Sequence, residues 1–188
     1  MKQRKNKELE LSALFLYKGE EDMETIEYEW VKQTRKIMLD VCGNLTTEIL
    51  TANVEGFGYP SIRNLLVHTA DCYHAWLGSF LLLRTRNPLT PKDRFMEMSL
   101  DDIRDRFLQV DRYVKEVWSE YEGMMEEPVK RIIPWRDTGE SLSMTPRQLL
   151  FHTVSHEFHH KGQVMAMMRQ LGLEPPNTDV LGVGKVDE

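Results

Sequence analysis

A chain of 188 residues, 41% hydrophobic and 29% charged, is long enough to bury a sizeable core as a single globular domain. Its net charge of -6 and pI near 5.6 supply no basic footprint, so no DNA or RNA partner is expected. No apolar run approaches the roughly eighteen residues of a membrane span, and no membrane partner is expected either.

Residues 1–22 read as an N-terminal arm. Leu9–Tyr17 after the basic Met1–Lys7 imitates a signal peptide, but Glu8 and Glu10 interrupt it and no A-x-A cleavage site follows. Cys42 and Cys72 lack the spacing of a disulfide framework, and two free thiols in a reducing cytoplasm are expected.

Trp30, Thr34, Ile37 and Val41 recur at helical spacing and predict a first helix over about residues 23–42, ended by Gly43-Asn44. A short helical turn near Thr46–Leu50 follows, and then "GFGYPS" breaks the chain. Ser61 caps a second helix running to about Arg86, with a core stripe of Ile62, Leu65, Leu66, Thr69, Tyr73, Trp76, Leu77 and Phe80. Asn87-Pro88 stops it. Ser99, followed by Asp101 and Asp102, starts a third helix that carries Ile103, Phe107, Val110, Val114, Val117 and Tyr121 and ends at Gly123.

"VKRIIPWRDTGESLSMT" sets β-branched residues around turn formers and predicts a short hairpin or irregular crossover between helices 3 and 4. Thr145-Pro146-Arg147-Gln148 is a capping box with proline at the first helical position, so the last helix begins there. Leu171-Gly172-Leu173, with Pro175 beyond, closes it. These elements predict an all-α fold, a four-helix bundle over residues 23–174, with 175–188 as a loosely packed C-terminal tail.

The last helix carries four of the six histidines within nine positions: His152, His156, His159 and His160. At about 100° per residue all four share one face. Two imidazoles at i and i+4 are the spacing by which a helix donates two ligands to a divalent ion. His156-Glu157-Phe158-His159-His160 also spells H-E-x-x-H. A zinc protease needs a further downstream ligand, yet only 28 residues follow His160, none of them histidine, and Gly162 is one position early for the extended pattern.

A third ligand is better sought upstream. His68 and His74 flank the apolar stripe of the second helix on opposite sides, and periodicity does not choose between them. His68 has Cys72 one turn on and the small Ala75 and Ser79 nearby, which leaves room for a site. His74 sits beside Asp71 and looks solvent-facing, with Asp71 read as a surface carboxylate. His152 is read as a packing residue or as one that orients a ligand, and Cys72 as a small core residue that could close the site as a thiolate. Met165, Met167 and Met168 read as core filler. Lys161 and Arg169 answer the helix dipole or hold an acidic ligand's carboxylates.

"VHTADCYHAWL" in the second helix and "HTVSHEFHHKGQVMAMMRQLG" in the last resemble the DinB-like family, whose last helix reads H-x-x-x-H-[RK]-G-Q and ends in R-x-x-G. The likeness spans about Glu24 to Gly172. It implies a four-helix bundle with a three-histidine divalent metal site, and carried over it places the ligands at His68, His156 and His160. The histidine directly before Lys161-Gly162-Gln163 is His160, not His159. Glu157 is then a helix residue between two ligands.

Three neutral imidazoles leave the ion's charge and at least one coordination position free, the arrangement of a catalytic site. The resemblance implies an enzyme that transfers a low-molecular-weight thiol, as cosubstrate, to a small-molecule electrophile; the cysteine usage leads us to expect it in the cytoplasm, and zinc or nickel is the expected ion among those that imidazole ligands accept. The alternatives are a hydrolase using metal-bound hydroxide and a non-catalytic metal-binding or stress-response protein. A homodimer is expected on general grounds.

Overall fold

The computed structural model describes residues 26–183, so the arm over 1–22 lies outside the described residues, as do 184–188. Leu39–Pro176 forms one compact unit, and the described residues 26–38 and 177–183 belong to a second. Helices dominate both.

Residues 26–43 are helical (α1), but Trp30 is exposed and Ile37 and Val41 are only half-buried. The buried stripe runs instead through Val31, Thr34, Met38 and Cys42. Apolar side chains occupy neighbouring faces of this helix, and a 3.6-residue period cannot decide between stripes one residue apart. A short α2, Thr47–Thr51, is capped by the Thr46 side chain, which accepts from the Ile49 amide.

Next, α3 spans Ile62–Tyr73, its start set by Ser61, whose hydroxyl accepts from the Asn64 amide at 3.3 Å. Only Arg63, Asn64 and His68 of α3 escape full burial, because α2, α4 and α5 all pack against it.

The chain continues as a π-helical segment, His74–Leu81, packed on α4 and α5. Its wider turns are marked by the Leu82 amide donating to the Leu77 carbonyl at 2.9 Å. The segment ends five residues before the predicted stop at Arg86. The Arg131 guanidinium donates to the Phe80 and Leu81 carbonyls at 2.7 and 2.6 Å, and the Tyr121 hydroxyl donates to Leu81 at 3.1 Å. These distant donors satisfy the terminal carbonyls, and Leu83 turns the chain away at φ 55°. Gly78 faces the ring of Tyr113, where a Cβ would lie 2.5 Å from the nearest ring carbon.

A 3-10 turn, Arg94–Met96, precedes α4, Leu100–Glu120, which starts at the Ser99/Asp102 capping box and buries Ile103, Phe107, Val110, Val114 and Val117 as predicted, whereas it ends before Gly123 and leaves Tyr121, half-buried, as its C-cap. The predicted hairpin is present: β1, Val129–Ile132, pairs antiparallel with β2, Ser141–Met144, Val129 opposite Met144. It leads into α5, Pro146–Gln170, which begins at the Thr145/Gln148 capping box and ends where Gly172 takes φ 78°. The tail holds one helical turn, α6, Val180–Val183, none of it buried. Among the described residues no helix is long and apolar enough to cross a membrane.

Candidate metal centre

Where α3 packs on α5, the two helices run antiparallel, since moving on from His68 to Cys72 in α3 means moving back from His156 to His152 in α5. His68 rises from the half-buried face of α3, and His156 and His160 stand one turn apart on α5. Their ring centroids form a compact triangle, with sides of 5.0 Å for His68–His156, 4.9 Å for His68–His160 and 4.3 Å for His156–His160. One nitrogen from each lies within 4.8 Å of the other two.

Two details show that the triangle fits a divalent ion. His68 Nε2 and His156 Nε2 are 3.1 Å apart, close to the roughly 3.3–3.5 Å that metal–nitrogen bonds of about 2.0–2.1 Å impose across a tetrahedron. His160 Nδ1 lies 2.7 Å from Gln163 Oε1, an oxygen that can only accept, so Nδ1 carries the proton. The lone pair is therefore on Nε2, which is buried without a hydrogen-bond partner. A buried, unsatisfied acceptor costs stability, and a cation offsets that cost.

Electrostatics keep the three rings in the form a metal needs. Burial first, and then the charge of His160, lower His68 to about 4. Burial, followed by the surrounding His160, His68, His152 and His159, lowers His156 to about 3. Burial lowers His160 too, against the pull of the Gln163 hydrogen bond. All three are neutral donors at neutral pH.

A model of the DinB family matches residues 22–186. The chain belongs to the DinB family. Two Bacillus subtilis (strain 168) proteins are similar to it. YizA, an uncharacterized protein, is 26% identical over 170 residues, which is 85% of this chain and 94% of its own length. Protein DinB is 25% identical over 126 residues, 64% of this chain and 70% of its own.

The other residues singled out in this DinB-family sequence take clear positions. His74 is buried, contrary to its solvent-facing reading: its Nε2–H donates to the Arg106 carbonyl at 3.2 Å and its ring meets Tyr113 edge-on. Asp71 is likewise no surface carboxylate. It is buried, paired with Arg106, and accepts from the Thr90 amide and hydroxyl at 2.8 Å each, so it braces the loop after the π-helical segment. Neither touches the histidine triangle. Glu157 is buried and accepts from the Tyr73 hydroxyl at 2.6 Å, an inter-helix tie and not the arrangement of a protease base. Lys161 is buried with its ammonium 3.8 Å from the centroid of the Phe158 ring, so it is not displayed to hold a ligand's carboxylates. Met165, Met167 and Met168 are buried core residues as expected.

Cys72 and His152 stand together, Sγ to Nε2 at 3.7 Å, one turn along from the triangle, and His159 sits on the exposed flank, accepting from the Gln163 amide at 3.2 Å. Two participants carried no signal in the periodicity. Gln163 fixes the His160 tautomer, and its position three residues on in the same helix face is what would have found it. Tyr59, in the "GFGYPS" break, stacks on His68 with centroids 4.1 Å apart.

Proposed function

We propose that His68, His156 and His160 hold a divalent metal ion, zinc or nickel, and that the protein is a metal-dependent enzyme transferring a low-molecular-weight thiol to an electrophile. The observation that carries this reading is the unpartnered, lone-pair-bearing Nε2 of His160 facing two further neutral imidazoles. A four-helix bundle to which α3, α4 and α5 contribute, a cytoplasmic location and a homodimer belong to the same proposal.

When bound, the ion supplies a Lewis acid that lowers the pKa of a thiol or water at the remaining coordination position. The chain's own part is orientation and access. Gln163 holds His160 with Nε2 inward, and Tyr59 holds the plane of His68. His68 and His156 are half-buried, which leaves the triangle reachable by a small molecule. Cys72 groups with His152 and His156 and not with all three ligands, which supports a position left open for an exogenous donor.

Elemental analysis of the purified protein and of His68→Ala and His156→Ala is the first test, with near-stoichiometric metal in the parent and loss in both variants expected. The metal-loaded protein is then given several low-molecular-weight thiols and a model aromatic electrophile. A rate above the uncatalysed reaction that disappears in His68→Ala is the expected result. Absence of metal after reconstitution removes the whole reading. Metal without thiol transfer removes the transferase, and water addition without thiol identifies a hydrolase instead.

A further inference from the structure

The α3–α5 interface carries a second group of donors beside the histidine triangle. Because the helices are antiparallel, one turn forward from His68 in α3 is Cys72, and one turn back from His156 in α5 is His152. The Cys72 Sγ and His152 Nε2 are 3.7 Å apart, and a nitrogen of His156 completes a set whose members all lie within 4.8 Å of one another. Cys72 is buried, whereas His152 is exposed, so the set has a dry sulfur end and an open imidazole end. The rim is aromatic: Trp76 meets the His152 ring edge-on at 5.9 Å and Trp135 meets Trp76 at 5.1 Å.

We propose that Cys72, His152 and His156 form a second metal position, selective for thiophilic ions, that shares His156 with the three-histidine cluster. Softness separates the two. Thiolate sulfur with imidazole favours cuprous, cadmium and zinc ions, while an all-imidazole set also suits nickel and cobalt. A neutral imidazole offers one lone pair, so His156 serves one ion at a time and the two positions compete. On binding, the Sγ–H bond breaks, sulfur keeps the electron pair and donates it to the ion, and the proton leaves to buffer. No electron is transferred.

The test is a titration of the metal-free full chain with cadmium, in the presence of a phosphine reductant, read by the ultraviolet thiolate-to-cadmium charge-transfer band and by tryptophan fluorescence. One band saturating at about one cadmium per chain is expected. Cys72→Ser removes the band and Cys42→Ser, at the other buried thiol, keeps it. The exposed His152→Ala leaves the fold intact and weakens cadmium binding by at least about 10–100-fold, the loss that removing even an outer partner produces. His68→Ala keeps the band while abolishing cobalt binding at the triangle, which separates this position from the proposed catalytic one. The proposal is overturned by absence of the band in the parent chain, by its survival in Cys72→Ser, or by unchanged affinity in His152→Ala. Loss of the band in folded His68→Ala also overturns it, since Cys72 would then be a fourth ligand of the triangle.

Discussion

Tyr59 lies flat against His68, ring centroids 4.1 Å apart and planes 21° from parallel. It reaches that position from a loop closed by the Val54 amide donating to the Pro60 carbonyl at 2.7 Å and turned at Gly56, φ 89°. The stack selects one orientation of the His68 ring before any ion arrives. Tyr59→Ala is therefore expected to lower metal affinity by about 10–100-fold, and Tyr59→Phe, which keeps the ring, to stay near the parent value. Competition against a chromophoric chelator measures both; equal affinity in Tyr59→Ala would show that packing elsewhere orients His68.

Gln163 acts on the tautomer of His160. With the Oε1 acceptor removed in Gln163→Leu, the proton is free to move to Nε2 and block the lone pair, and affinity falls by about 10–100-fold. Gln163→Glu retains an acceptor oxygen and should bind at least as tightly as the parent. The opposite order of the two variants in the same competition assay would remove this role.

Gly78 allows the π-helical segment to approach α4 at Tyr113. Gly78→Ala forces a methyl group into a buried ring and should destabilise the fold by about 1–3 kcal/mol. Urea denaturation monitored by circular dichroism gives the value, and an unchanged midpoint would mean that Tyr113 moves aside freely.

Acid should weaken the fold through His74. Burial, and then the Arg106 charge, push it from 6.5 down to about 4, against its hydrogen bond to the Arg106 carbonyl. Between those values the unfolded chain binds the proton and the folded chain does not. The contribution is thus intact above about pH 6.5, is lost as pH falls, and is gone below about pH 4, a change on the order of 3 kcal/mol. His74→Gln keeps a donor for the carbonyl but cannot titrate, so its denaturation free energy should fall less steeply over that window. Parallel profiles for the parent and the variant would place the acid sensitivity elsewhere.

Whatever depends on neighbours along the chain was legible in the sequence. The capping boxes at Ser99 and Thr145 act within four residues, and α4 and α5 begin there. The spacing of His156 and His160 puts both imidazoles on one face of any helix that contains them. The antiparallel hairpin followed from turn formers between β-branched runs. Tertiary structure alone decided what depends on residues distant in sequence. Arg131 and Tyr121 end the π-helical segment from 40 or more positions away, where local signals pointed to Asn87-Pro88. His68 and His74 look equivalent on the flanks of one stripe. They part only because α5 brings imidazoles to the first, while α4 brings the Arg106 carbonyl and the Tyr113 ring to the second. A helix buried on most sides has no single apolar face to read, and which polar side chain meets which partner across it is set by the packing of the other helices.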